Sequence, residues 1–315
     1  MRIGLISNAR SERNKSGLAD IDAAIAGREE IRHLRFDGQR PMVDLLRELR
    51  GVDLVAINGG DGTVQAALTA LLEDGALAPR PPVAILPRGM ANMTAADVGL
   101  KGRNAAALER VLAAGRQGGL AGHVLERRVL RVDGIKGWPA QHGMFFGAAG
   151  IYEAIRICKG QVHSLGLKGE LSHGVTLGWL LLNAAFRGLD AVGIHGHDIG
   201  LAVDGGPLET KRRLLVLATT LDRLVLGSQP FWRTGGRPVR FTSIDWAAPG
   251  IVRNARRILY GGEERGLPAG FDSLGAERIE LVLDGPFTID GQFFEPIPGR
   301  PLVLTAPETV RFVRL

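Results

Sequence analysis

"VAINGGDGTVQAAL", residues 55 to 68, decides how the first part of the chain folds. The apolar run Leu54 to Ile57 leads into it and has the composition of a buried strand. Beyond the glycines, Val64, Ala67, Leu68, Leu71 and Leu72 recur at the i, i+3, i+4, i+7, i+8 spacing of one buried face, which predicts a helix over Val64 to Leu72. A strand that passes through a glycine-rich junction into a helix is one unit of a parallel α/β sheet. Gly59, Gly60 and Gly62 can take positive φ there and leave peptide N–H groups uncovered by side chains. Successive exposed amides beside a helix N-terminus suit phosphate oxygens. Asp61 admits three readings: it caps the helix, it meets a magnesium ion carried by a nucleotide, or it takes a proton from an attacking hydroxyl.

Working outward, the same alternation continues. Arg2 to Ile6, Ile31 to Arg35 and Val83 to Leu86 read as strands, while Leu18 to Ala26, Pro41 to Leu49 and Ala105 to Ala114 read as helices. Residues 1–122 are therefore expected to form an α/β domain on a parallel sheet. In open sheets of this kind ligands bind at the C-terminal strand ends. The next strand ends in "LPRGMANMTAADVGL", Leu86 to Leu100, which puts a second loop on the same edge. Arg88 can contact phosphate there and Asn92 can hold a base, ribose or phosphate by its amide; the alternative is a Pro/Gly turn with an Asn cap.

The Gly-rich stretch Gly115 to Gly122 marks the expected boundary. After it, strand-like runs end in Asp133-Gly134, Asp204-Gly205 and Asp284-Gly285, which are hairpin signals, so residues 123–300 should be mainly antiparallel β. Gly174 to Phe186 is the exception, apolar and helix-like. Its Trp179, Leu182 and Phe186 are candidates for lining an acyl channel or touching a bilayer, against the alternative of a helix packed on the sheet.

At 315 residues the chain accommodates two domains, and its net charge of +6 suits phosphate-bearing small molecules, nucleic acid or an anionic membrane face. The basic residues are scattered and match no zinc-finger, RRM or KH pattern, so no nucleic-acid partner is expected. No apolar run reaches the ~18 residues needed to cross a bilayer and no N-terminal signal pattern is visible, so a cytoplasmic location is expected. Cys158 is the single cysteine, which excludes a disulfide framework. His195, His197 and Asp198 have metal-like spacing but lack a third convergent ligand, and a polar turn accounts for them.

At these motifs the sequence resembles the diacylglycerol kinase catalytic-domain family, which includes sphingosine and ceramide kinases and bacterial lipid kinases. The family's Gly-Gly-Asp-Gly-Thr is matched by Gly59 to Thr63, its Pro-x-Gly-Thr-x-Asn-Asp-x-Ala in part by Pro87, Gly89, Asn92 and Ala95, and its early Asn by Asn8. Its late Asp-Gly-Glu is matched by Asp290-Gly291-Gln292. NAD kinases share the first motif; the second loop and the β-rich second half favour the lipid kinases. The resemblance implies a nucleotide domain followed by a β-sandwich lipid-substrate domain, with a last strand within 301–315 returning to the first. It implies ATP and Mg²⁺ as cofactors and a primary hydroxyl of diacylglycerol, ceramide or a sphingoid base as acceptor. It assigns the nucleotide to Asn8, Asn58, Gly59, Gly60, Gly62, Thr63, Arg88, Gly89 and Asn92, metal binding or base catalysis to Asp61, and the late catalytic position to Gln292. The implied partners are a membrane lipid and, transiently, an anionic membrane surface, with peripheral membrane association and a homodimer left open.

The chain departs from the pattern in informative places. Met90 and Met93 stand where the family has a hydroxyl and an acid. Thr234 and Gly235 stand where it often has an acidic pair tied to Mg²⁺ through water. Gln292 replaces the late Glu, and an amide orients groups without accepting a proton near neutral pH. The resulting alternative is a catalytically impaired nucleotide- or lipid-binding protein on the same fold.

Overall fold

The structure is a computed structural model that describes residues 1–11, 18–87, 92–100, 104–117, 119–165 and 193–315, without the side chains of 104 and 158–165. The chain forms two compact units, 1–129 with 308–315 and 130–307.

In the first unit β1 (Ile3–Asn8), β2 (Ile31–Phe36), β3 (Leu54–Gly59) and β4 (Val83–Pro87) are parallel, in the order β4-β3-β1-β2. Every residue of β3, and all of β1 but Asn8, is buried, as expected of strands covered on both faces. One face, formed by Ile3, Leu5, Leu54, Ala56, Ala84 and Leu86, packs against Ile21 of α1 (Ala19–Ile25) and against Ala107, Leu108, Val111 and Leu112 of α5 (Asn104–Arg116). The connections α2 (Met42–Glu48) and α3 (Asp61–Leu72) pack on each other, with Leu45, Leu46, Val64, Leu68 and Leu71 buried. A short helix, α4 (Met93–Val98), follows β4. The end of the chain's last strand, Leu302–Val313, runs parallel beside β4, with Phe312 opposite Val83.

This order has a functional consequence. β1 lies between β2 and β3, so the winding reverses there, and the crevice of such a sheet opens at the C-terminal ends of the two strands that flank the reversal. Those ends are Asn8 and Gly59.

The glycine junction differs from the expectation. Helix α3 starts at Asp61, not Val64, because the N–H groups of Thr63 and Val64 both bond to Gly60 O, at 2.9 and 3.1 Å. Gly60 is the N-cap at φ −87°, Gly59 ends a strand and Gly62 lies in the first helical turn, so none of the three takes positive φ. Gly59 is required for closeness: a Cβ on it would lie 2.7 Å from both Cβ and Oγ1 of Thr63.

The second unit is mainly antiparallel. Its elements are β5 (Val124–Asp133, whose first residues belong to unit one), β6 (Gln141–Gly143), β7 (Phe145–Ala149), α6 (Gly150–Leu165), β8 (His197–Val203), β9 (Glu209–Thr219), β10 (Val239–Asp245), α7 (Ile251–Tyr260), β11 (Phe271–Ala276), β12 (Arg278–Val282), β13 (Phe287–Ile289), β14 (Gln292–Phe294) and the start of β15 (Leu302–Val313). β9 is the organising strand and pairs with β7, β8 and β10. Phe146, Phe241, Phe287, Ile279 and Leu302 fill its main core. Asp204 and Gly205 both take positive φ in the turn between β8 and β9, the signature of a type I′ turn. Asp284-Gly285 is not a hairpin: β12 is already paired with β8 and β15, and β13 pairs instead with β7 and β14. The tight hairpin falls at Asp290-Gly291, again with both residues at positive φ. Among the described residues no helix is long and apolar enough to cross a membrane.

Candidate functional site

Asn8 closes β1 and reaches across the sheet's reversal point. Its Nδ2 donates to Thr63 Oγ1 at 2.8 Å and its Oδ1 accepts from Arg10 N–H at 2.9 Å, so it ties the end of β1 to the first turn of α3. Thr63 is buried at 5% exposure, which places its hydroxyl behind the loop surface. One residue inward, fully buried Asn58 donates from Nδ2 to Ser7 Oγ at 3.0 Å. Ser7 Oγ lies 2.9 Å from His33 Nε2, and His33 Nδ1 lies 3.7 Å from Asp22 Oδ1. A polar chain thus crosses β3, β1 and β2 beneath the glycine loop. Neither Ser7 nor His33 was anticipated; the signal available in the sequence was polar residues interrupting apolar strands.

Asp61 is the centre of the site. Its Oδ2 accepts from Met93 N–H and its Oδ1 from Thr94 N–H, both at 3.2 Å. It therefore caps a helix, but α4 of the second loop and not the helix it begins. The two phosphate-loop candidates are joined through this one carboxylate. Burial pushes the Asp61 pKa up, and the amides of Thr94 and Met93 pull it back only in part. The Asn92 N–H and the Thr94 side chain also act on this carboxylate and lower its pKa, so the whole start of α4 is gathered on Asp61. Met93, standing where an acid was expected, contributes its backbone N–H. Asn92 precedes it in the left-handed conformation at φ 48°, which Asn tolerates better than most residues.

Asn8, Asn58, Gly59, Gly60, Asp61, Gly62, Thr63 and Asn92 are thus gathered in the first unit at the ends of β1 and β3 and the start of α4. The N–H groups of Thr63 and Val64 are taken by Gly60 O, whereas those of Asp61 and Gly62 precede the first helical acceptor and can face an anion. Arg88 and Gly89 lie outside the described residues, as do Trp179, Leu182 and Phe186. Gln292 belongs to the second unit, where it begins β14 with an exposed side chain. Asp290 before it is buried and accepts from Met144 and Phe145 N–H, both at 2.9 Å, pinning the β13–β14 turn to β7. Glu295 is exposed and pairs with Lys136 at 3.1 Å.

Among the described residues no group of three or more His, Cys, Asp or Glu can hold a metal ion. His197 Nε2 sits 3.0 Å from Glu153 Oε1, and His195 N–H donates to Glu153 Oε2 at 2.8 Å, so this pair ties the entry of β8 to α6. A protein cage for Mg²⁺ does not fit these residues; a single carboxylate touching an ion that arrives with phosphates does.

Residues 2–120 match the family model of the diacylglycerol kinase catalytic domain. Two solved structures from Bacillus anthracis str. Sterne are similar along the whole chain. A putative diacylglycerol kinase is 16% identical with TM-score 0.67, covering 100% of this chain and 97% of its own. A structure described as a diacylglycerol kinase is 17% identical with TM-score 0.64, covering 99% and 96%. Yeast NADH kinase complexed with NADH is 12% identical with TM-score 0.53, covering 100% and 84%. At these identities the likeness establishes the fold. No curated protein matches the sequence.

Proposed function

Because residues 2–120 carry a diacylglycerol kinase catalytic domain, we propose that the chain is an ATP-dependent lipid kinase. Its acceptor is a primary hydroxyl of diacylglycerol, ceramide or a sphingoid base. The observation that carries this reading is the joining of the two loops by Asp61 at the reversal point of the sheet. The head of α3, at Gly60 to Gly62, receives phosphate oxygens on its backbone amides, and Gly59 lets Thr63 close in behind them. Asn8 and Asn58 hold that loop to β1, and Asn92 sets the second loop's direction. Mg²⁺ arriving with ATP would supply charge neutralisation, and Asp61 is the carboxylate placed to meet one of its waters. Gln292 takes the role of orienting the acceptor, since phosphoryl transfer leans on positioning more than on a strong base.

The test is transfer of labelled γ-phosphate from ATP to diacylglycerol, ceramide and sphingosine in mixed micelles, with NAD as a further acceptor. Product from the wild type that falls at least about a hundredfold with Asp61→Ala is the expected outcome. Transfer to NAD alone would replace the lipid acceptor. The second reading, an impaired binding protein, is favoured by the exposed amide of Gln292 where an acid was expected. It predicts no product from the wild type and recovered product with Gln292→Glu.

A further inference from the structure

We propose that the exposed face of α7, together with the turn at Leu224 to Ser228, is a docking surface for an anionic lipid bilayer. Helix α7 reads IVRNARRILY, and its inner side is fixed: Asn254 and Ile258 are buried, and Ile258 packs with Trp232, Ile244 and Phe271. The outer side carries Arg253, Arg256 and Arg257 with Val252 and Tyr260, the last two 43% and 53% exposed. None of these arginines has a carboxylate partner among the described residues, and the same holds for exposed Arg223 and Arg233 on the adjoining loops. The acids nearby are Asp222, paired with Arg240 at 2.6 Å, and Glu263 and Glu264 in the segment after the helix. The unpaired cations outnumber them, and a bilayer rich in anionic headgroups is the complementary surface.

The turn supplies the apolar element. Leu226 is 65% exposed and stands at φ 58°, in the left-handed region that penalises a leucine and that glycine or asparagine would occupy more cheaply. The turn is closed by Leu224 N–H donating to Ser228 O at 2.7 Å, and Tyr260 Oη lies 3.5 Å from Leu226 O, so the leucine stands beside the basic helix. An aliphatic tip and a tyrosine among arginines is the composition of an interfacial anchor.

The mount is rigid. Arg265 is buried under the end of α7, donates to the carbonyls of Arg257, Ile258, Gly262, Gln229 and Phe231, and stacks 5.0 Å from the Trp232 ring. Gln229 N–H also donates to Leu259 O at 2.7 Å. Helix and turn therefore present their side chains as one preformed surface, which lowers the entropic cost of docking.

The choice of a membrane as occupant rests on the lipid-acceptor reading, so the test separates the two. Co-sedimentation with vesicles of phosphatidylcholine, with and without about a third phosphatidylserine, measures docking. Transfer to a water-soluble short-chain diacylglycerol, without vesicles, measures catalysis. Expected are binding to anionic vesicles only, weakening with salt, and a loss on the order of a hundredfold with Arg253→Gln/Arg256→Gln/Arg257→Gln. Leu226→Asn, which suits the backbone of the turn, should weaken binding about tenfold with an unchanged melting temperature. Short-chain transfer should be unchanged in both. Equal binding to neutral vesicles, no binding by the wild type, or undiminished binding by both variants would overturn the proposal. Loss of duplex RNA binding, with vesicle binding intact, would reassign the surface to nucleic acid.

Discussion

Asp61 and Gly59 show how the site depends on single residues. The Gly-Gly-Asp-Gly-Thr stretch was legible as the junction of a strand and a helix, β3 and α3. The bond that defines Asp61 was not, because its partners Met93 and Thr94 are more than thirty residues away in the chain and reach it only when β3 and β4 lie side by side. The capacity of Gly59, Gly60 and Gly62 for positive φ is not used, and Gly59 serves by having no Cβ against Thr63. Gly59→Ala must push Thr63 from its bond with Asn8, at an overpacking cost of about 1–3 kcal/mol. It should weaken ATP binding about tenfold or more, measured by titration calorimetry, with little change in the fold's circular dichroism.

At the scale of elements, strands β1 to β4 and helices α1, α2, α3 and α5 were visible because apolar periodicity is strong where a sheet is covered on both faces. Helices α6 and α7 were not anticipated, since α7 is short and arginine-rich and α6 continues directly from a strand. The polar chain Asn58–Ser7–His33 joins three strands and yields a pH prediction. Burial lowers the His33 pKa; Asp22 opposes and Arg35 adds to the fall. A lowered folded pKa means that protons favour the unfolded chain. The contribution of His33 to stability is thus present above the ordinary histidine value and is lost as pH falls toward the folded one. Once protonated, His33 can only donate to Ser7 Oγ, which already accepts from Asn58. Urea melts should show stability of the first unit declining as pH falls below the ordinary histidine value of about 6.5. His33→Phe should flatten that decline at a cost of about 1 kcal/mol at pH 7.

At the scale of the whole molecule, the first unit is built from both ends of the chain. Residues 308–315 return to it: Glu308 pairs with Arg80 at 2.9 Å, Arg311 donates to Arg80 O at 2.7 Å, and Phe312 and Val313 are fully buried. Phe312→Ala should therefore destabilise the nucleotide-binding unit, although it lies more than two hundred residues from its loops, by about 3–5 kcal/mol. Chemical denaturation followed by ATP protection would report it; a change under about 1 kcal/mol would contradict the packing described here. The sequence by itself determined the alternation of strands and helices, the glycine-bounded junction of β3 and α3 and the antiparallel character of the second half. These are set by local periodicity and turn chemistry. Only the tertiary structure decided that Asp61 caps the second loop, that Asp290 is occupied by the amides of β7, and that Asp284-Gly285 joins no hairpin. Each of those follows from which strands become neighbours, and a hydrogen bond between distant residues leaves no period in the chain.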